Sequence, residues 1–135
     1  MKLILASKSG VRRDILKKNK IDCEVIPSYV DEDQVKESLL NEKATPKLIS
    51  KNLAELKANK ISRKKPNQLV LGADSVIDLN NQLISKPKSR EEAFKILLNL
   101  NGKKHFLISS VCISKNGAMI WHYTDSSTLT MKELN

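Results

Sequence analysis

Apolar residues along the chain change their spacing repeatedly, and the changes mark out alternating strands and helices. Leu3 to Ala6 is a short unbroken apolar run, as a buried strand requires, and the loop Ser7-Lys8-Ser9-Gly10 follows it. Val11, Ile15 and Leu16, with charges between them, then predict a short helix. Ile21 to Pro27 alternates apolar and polar residues, the pattern of a strand. The acidic stretch Val30-Asp31-Glu32-Asp33 leads into a helical pattern through Val35, Leu39 and Leu40. Thr45-Pro46 supplies a capping hydroxyl and a first-turn proline, and Leu48, Ile49, Leu53, Leu56 and Ala58 mark the buried face of the helix that follows.

The second half continues the alternation. Leu69 to Ala73 is the most apolar strand, with Asp74 at its end. Val76-Ile77 begins a hairpin that turns at Asn80-Asn81 and returns over Gln82 to Ser85. Ser89-Arg90-Glu91-Glu92 has the form of a capping box, and its helix runs through Ala93, Ile96, Leu97 and Leu100 to a stop near Gly102. A long hairpin is predicted from His105 to Ser114, over a Lys115-Asn116-Gly117 turn, and back along Ala118 to Thr124. Ser127 to Met131 is expected to form another strand, and Lys132-Glu133-Leu134 has the pattern of a helix start. Strands alternating with helices define an α/β class, and the hairpins make its sheet mixed: a twisted sheet flanked by helices. With no repeat or linker, the 135 residues are expected to form a single domain.

Composition narrows the function. The chain is 40% hydrophobic and 29% charged, ordinary for a globular protein. It has no apolar run long enough to span a bilayer, and the opening run at Leu3–Ala6 is too short for a signal peptide, so a cytoplasmic location is expected. Cys23 and Cys112 are far apart, lie in apolar runs and lack metal-ligand spacing, which suits buried free thiols in a reducing compartment. The net charge of +9 raises the question of a polyanionic partner. The basic residues are mostly lysine, the arginines being Arg12, Arg13, Arg63 and Arg90, and aromatics are 4%. That supplies few bidentate or base-stacking contacts, so a nucleic-acid partner is disfavoured, while a positive field still steers small anions.

The candidate chemistry lies at element ends. No Gly-rich phosphate loop, dinucleotide fingerprint or zinc cluster is present. His105 and His122 have no recognisable partner and are expected on strand surfaces. Ser7, Ser9 and Arg12, between a buried strand and a helix start, offer hydroxyls and a fixed positive charge to a phosphate, although they would equally suit a simple helix cap. Asp31, Glu32 and Asp74 follow strands, where α/β proteins place ligand-site residues. Carboxylates gathered from separate loops suit Mg²⁺ or Mn²⁺ shared with substrate phosphates; the alternatives are a charged helix start at 31–32 and a turn aspartate at 74. Lys86 sits on the restricted backbone before Pro87, and Lys57 lies on a helix.

Taken in order, these pieces resemble the Maf family of nucleotide pyrophosphatases, related in fold to the inosine triphosphatases. The resemblance is carried by LILASKSGVRRDIL (3–16), VDE (30–32), LAELKA (53–58), LVLGADSVI (69–77), ISKPKSREEA (84–93) and LNGKKHFLISSV (100–111), and it covers essentially the whole chain. It implies cleavage of a nucleoside triphosphate between the α and β phosphates, to a monophosphate and pyrophosphate, with removal of non-standard nucleotides as a role. It places phosphate binding on Ser7, Ser9, Arg12, Lys57 and Lys86, a divalent metal, Mg²⁺ or Mn²⁺, on Asp31 and Asp74, and catalysis on Asp74. The partner implied is the nucleotide itself, with no membrane, and a homodimer is compatible with it.

This sequence departs from the family pattern in three places. Gly10-Val11 replaces the proline usual after Ser9, and Ser75 follows GAD where relatives often carry threonine or glutamine. The family domain is also expected to continue past residue 135 with a further helix and a Gly-rich strand section. Two other readings follow: a relative that binds nucleotides without hydrolysing them, and a basic nucleic-acid-binding module.

Overall fold

A computed structural model describes residues 3–7, 10–80, 82–84 and 89–130. The element order is β1 (Leu3–Leu5), α1 (Gly10–Lys18), β2 (Cys23–Val25), α2 (Glu32–Asn41), α3 (Pro46–Ser62), β3 (Val70–Leu79), β4 (Gln82–Ile84), α4 (Arg90–Leu100), β5 (Lys104–Lys115) and β6 (Ala118–Thr130). The strands among the described residues form one sheet in the order β2-β1-β3-β5-β6, with β4 also paired to β3. β1 runs parallel to β2 and β3, while β4 and β5 are antiparallel to β3 and β6 is antiparallel to β5. The expected mixed sheet flanked by helices is thus the observed architecture.

Caps fix the helix starts where the sequence placed them. Thr45 accepts from the Leu48 amide with Pro46 next in the chain, and Ser89 accepts from the Glu92 amide. The long hairpin turns through Asn116 and Gly117, at φ 53° and 83°, the two left-handed residues of a tight turn matched to the twist of its strands. That turn is tied to the end of α3, because the Gly117 amide donates to Ser62 Oγ at 2.8 Å and the Asn67 amide donates to Asn116 Oδ1 at 2.8 Å.

Two strands are longer than the pattern predicts. β3 does not stop at Ala73: it runs unbroken to Leu79, with Asp74 in its interior, because β5 pairs with it from Val70↔Ser114 to Asp78↔Phe106. Continuous pairing with β5 likewise fuses the two strands expected over 118–131 into β6; Met131 lies outside the described residues. His105 is buried on β5, not on a strand surface, whereas His122 is exposed.

The core lies between α3 and the sheet. Ile4, Ala6, Ala54, Ala58, Ile61, Val70 and Cys112 form its buried cluster, with Ile26 and Met119 against it. Gly72 sets how closely α3 approaches. A Cβ there would meet the Ala54 carbonyl oxygen at 2.3 Å and the Ala58 nitrogen at 2.8 Å, both backbone atoms that cannot swing aside. The two cysteines are free, and burial pushes the Cys112 thiol up to about 11, consistent with an inert core residue. Among the described residues no helix is long and apolar enough to cross a membrane.

Gly72→Ala is expected to destabilise the chain by about 2 kcal/mol or more, since overpacking against rigid backbone forces α3 off the sheet. Urea unfolding followed by circular dichroism measures this; an unchanged midpoint would show that α3 does not need the close approach.

Candidate active site

Among the described residues, the site forms where one edge of β3 has no paired strand. On that edge β1 pairs only as far as Leu5↔Leu71, and β4 begins at Ile77↔Ile84. Among the described residues, 72–76 therefore lie in a gap between two neighbouring strands. Gaps of this kind at strand ends are where ligands enter α/β sheets.

Alternation along β3 turns Asp74, like Gly72, toward α3. The small face of α3 at Ala54 and Ala58 brings Lys57 of the same helix down onto it. Lys57 Nζ lies 3.1 Å from Asp74 Oδ1, 2.5 Å from Glu32 Oε1 and 3.5 Å from the Ala73 carbonyl oxygen. An ammonium has three hydrogens to donate, and these three oxygens match them. The Lys57 and Asp74 side chains are 12% and 10% exposed, and Glu32 is 39% exposed. Beneath them, the fully buried Ser50 donates its hydroxyl to the Asp74 carbonyl oxygen at 3.2 Å.

Burial raises the Asp74 pKa above its ordinary 3.8; the Lys57 ammonium opposes this, and Glu32 adds to it. Desolvation therefore outweighs the ion pair. The other Asp74 oxygen, Oδ2, is buried without a hydrogen-bond partner in the protein. A carboxylate held this way accepts a proton or a cation more readily than one in water.

On the other side of the gap, Ser7 follows β1 and is buried, and Arg12 of α1 donates to Ser7 Oγ at 3.1 Å. A cavity of about 460 Å³ has Arg12, Asp74 and Ser75 in its wall, so the α1 side and the β3 side meet in one space. The structure thus gathers Ser7, Arg12, Lys57 and Asp74. Ser9 and Lys86 lie outside the described residues.

Asp31 is placed differently from the sequence expectation. It is exposed and serves as N-cap of α2, its Oδ1 accepting from the Gln34 amide at 3.1 Å. The acid brought beside Asp74 is its neighbour Glu32, through the shared Lys57. The cap alternative for residue 31 was visible, since an acid followed by a helical pattern suits a helix start. Nothing in the sequence marks Ser50, because a single serine on a helix face carries no pattern that shows it fastened to a strand carbonyl. Among the described residues no group of three or more His, Cys, Asp or Glu could hold a metal ion unaided.

Comparison with known proteins bears on the family and the fold. The family model described as "Maf-like protein" matches residues 2–135. A nucleoside triphosphate pyrophosphatase of Pelagibacter ubique (strain HTCC1062) is 67% identical over 132 residues, covering 98% of this chain and 68% of the relative. One from Granulibacter bethesdensis is 39% identical over 135 residues, covering 100% of this chain and 68% of the relative. In fold, a HAM1 protein from Coxiella burnetii superposes with a TM-score of 0.60 at 13% identity, covering 95% of this chain and 70% of that one. The α/β sheet thus belongs to a class of fold shared with that protein. Within that class, the chain belongs to the Maf family.

The raised Asp74 pKa has a consequence for stability. Its neutral form is favoured by folding, so this contribution is present below pH 3.8 and is lost as pH rises through the folded-state value. Asp74→Asn keeps the shape without the charge and leaves Lys57 its bond to Glu32. The variant is expected to be more stable than the parent at pH 7, with the gap closing toward acid. Thermal unfolding across that range measures it, and an Asn variant less stable at pH 7 would show that the ion pair outweighs burial.

Proposed function

We propose that the chain is a nucleoside triphosphate pyrophosphatase, a hydrolase that converts a nucleoside triphosphate to its monophosphate and pyrophosphate. The observation that carries this is the buried Lys57 shared by Glu32 and Asp74, across a strand gap from the Ser7–Arg12 pair. Relatives that this chain covers to about two thirds of their length bear that activity in their names.

In this reading Arg12, Ser7 and Lys57 hold the triphosphate, joined by Ser9 and Lys86 as the family pattern implies. Phosphoryl chemistry needs charge neutralised and a water aligned more than it needs a covalent intermediate. Asp74 orients the water and takes its proton as the oxygen bonds to phosphorus, and the bond to the bridging oxygen breaks to release pyrophosphate. Its raised pKa makes it a stronger base than an exposed carboxylate. Arg12 and Lys57 stabilise the charge that builds on the leaving pyrophosphate.

The residues present also fit a divalent cation. The unpartnered buried Oδ2 of Asp74 and the Glu32 carboxylate form an oxygen pair of the kind that Mg²⁺ or Mn²⁺ completes with substrate phosphates and water. Such an ion would supply charge neutralisation and a more acidic bound water. Glu32 takes the position the sequence reading gave to Asp31. Hydrolysis of non-standard nucleotides fits the same chemistry, since every substrate contact this reading assigns is to phosphate.

Pyrophosphate release from a panel of standard and modified nucleoside triphosphates, with Mg²⁺ or Mn²⁺, tests the proposal. Release is expected, with loss on chelation and a fall of about 10² or more in kcat for Asp74→Asn. Lys86→Ala is expected to raise KM. No release from the folded chain, with nucleotide still bound, would replace this reading by a binding one.

A further inference from the structure

A cavity of about 560 Å³ lies between the start of α3 and β6, and it shares no residue with the site around Asp74. Thr45, Lys47, Leu48 and Lys51 form one wall, and His122, Tyr123 and Thr124 the other. Helical spacing builds the first wall, since Lys47 and Lys51 are one turn apart and stand on the same face of α3. Strand pairing builds the second. Cys112 is opposite His122, and its Sγ reaches the Lys51 carbonyl oxygen at 3.9 Å, which sets this part of the sheet beside the helix. Lys57 comes six residues after Lys51, about 9 Å further along the axis and turned by roughly 120°. The cavity and the Asp74 cluster therefore use different faces of one helix.

The walls carry donors and no carboxylate. Lys47 and Lys51 each bring an ammonium, and like charges at this spacing repel. Among the described residues neither lysine has a salt-bridge partner. Glu55, one turn beyond Lys51, lines the groove on the α2 side instead. The His122 ring has an N–H to give in either protonation state. Thr45 Oγ1 accepts from the Leu48 amide, which leaves its hydroxyl hydrogen to donate. Two ammonium groups without a neutralising acid, faced by an imidazole, match an anion that offers only acceptor oxygens, as phosphate groups do. The cavity lies within the range of small-molecule sites, roughly 300–1,000 Å³, and exceeds what one phosphate fills. Donors on both walls favour two linked phosphoryl groups over one.

We propose that this cavity is a separate anion-binding site that takes a small oligophosphate, with Lys47 and Lys51 on one side and His122 on the other. The lysines supply the charge, and His122 and Thr45 orient the anion by hydrogen bonds. The assignment stands apart from the pyrophosphatase reading, since none of these residues takes part in that chemistry. It also gives a ligand to part of the net charge of +9, which the Asp74 cluster leaves unused.

Titration of the folded, isotope-labelled chain with inorganic pyrophosphate in EDTA, followed by NMR, tests this. Amide resonances of Lys47, Lys51, His122 and Thr124 are expected to move together, and in Lys57→Met as in the parent. Orthophosphate, which reaches one wall at a time, is expected to bind about tenfold more weakly. Lys47→Gln and Lys51→Gln are each expected to weaken pyrophosphate binding about fivefold. Lys47 is exposed and Lys51 half-buried on the helix surface, and glutamine is a good helix former, so both variants are expected to keep the parent's circular dichroism. Shifts confined to the surroundings of Arg12, Lys57 and Asp74 would overturn the proposal. So would an affinity that both glutamine variants leave unchanged, or orthophosphate binding as tight as that of pyrophosphate.

Discussion

The Lys57 ammonium holds the site together. Two carboxylates from different elements, Asp74 inside β3 and Glu32 at the start of α2, meet only because one cation lies between them. A lysine whose side chain is 12% exposed would be poorly placed without partners, and Asp74 at 10% would be worse, since its second oxygen already has none. The cluster is a compromise: the ion pair lowers the electrostatic penalty of burying Asp74 without abolishing it, and the residual penalty appears as a raised pKa. Binding sites are commonly built from groups held at such a disadvantage, because a substrate or cation can then relieve it.

That arrangement depends on packing in the core. Lys57 reaches β3 because Gly72, Ala54 and Ala58 let α3 lie almost against the strand, and Ser50 on the same helix ties it to the Asp74 carbonyl. β5 supports the strand along one edge, while among the described residues no strand pairs with the other edge between β1 and β4. The same β3 segment thus serves two surfaces. Asp74 faces the helix and Lys57, and Ser75 faces α1 and the apolar cavity beyond.

Much of this was legible in the sequence. The caps at Thr45 and Ser89, the Asn116-Gly117 turn and the buried β3 run each depend on local chemistry, so they appeared where the residues predicted. What local pattern could not show was continuity. Asp74 and Ser75 interrupt an apolar run and suggested a strand end, yet pairing with β5 carries the backbone straight through them. The sequence alone points His105 to the surface, because its burial on β5 depends on what packs over the strand. The exchange of Asp31 for Glu32 has a similar cause: both acids are equally visible, but only the helix geometry decides which one caps and which one turns inward.

The direct test of this account is the ionisation of Asp74 itself, followed by its side-chain carbon resonance in a pH titration of the parent and of Lys57→Met. Asp74 is predicted to titrate above 3.8 in the parent and higher still when the ammonium is removed. A midpoint at or below 3.8, or one that Lys57→Met leaves unmoved, would contradict a site organised around that lysine.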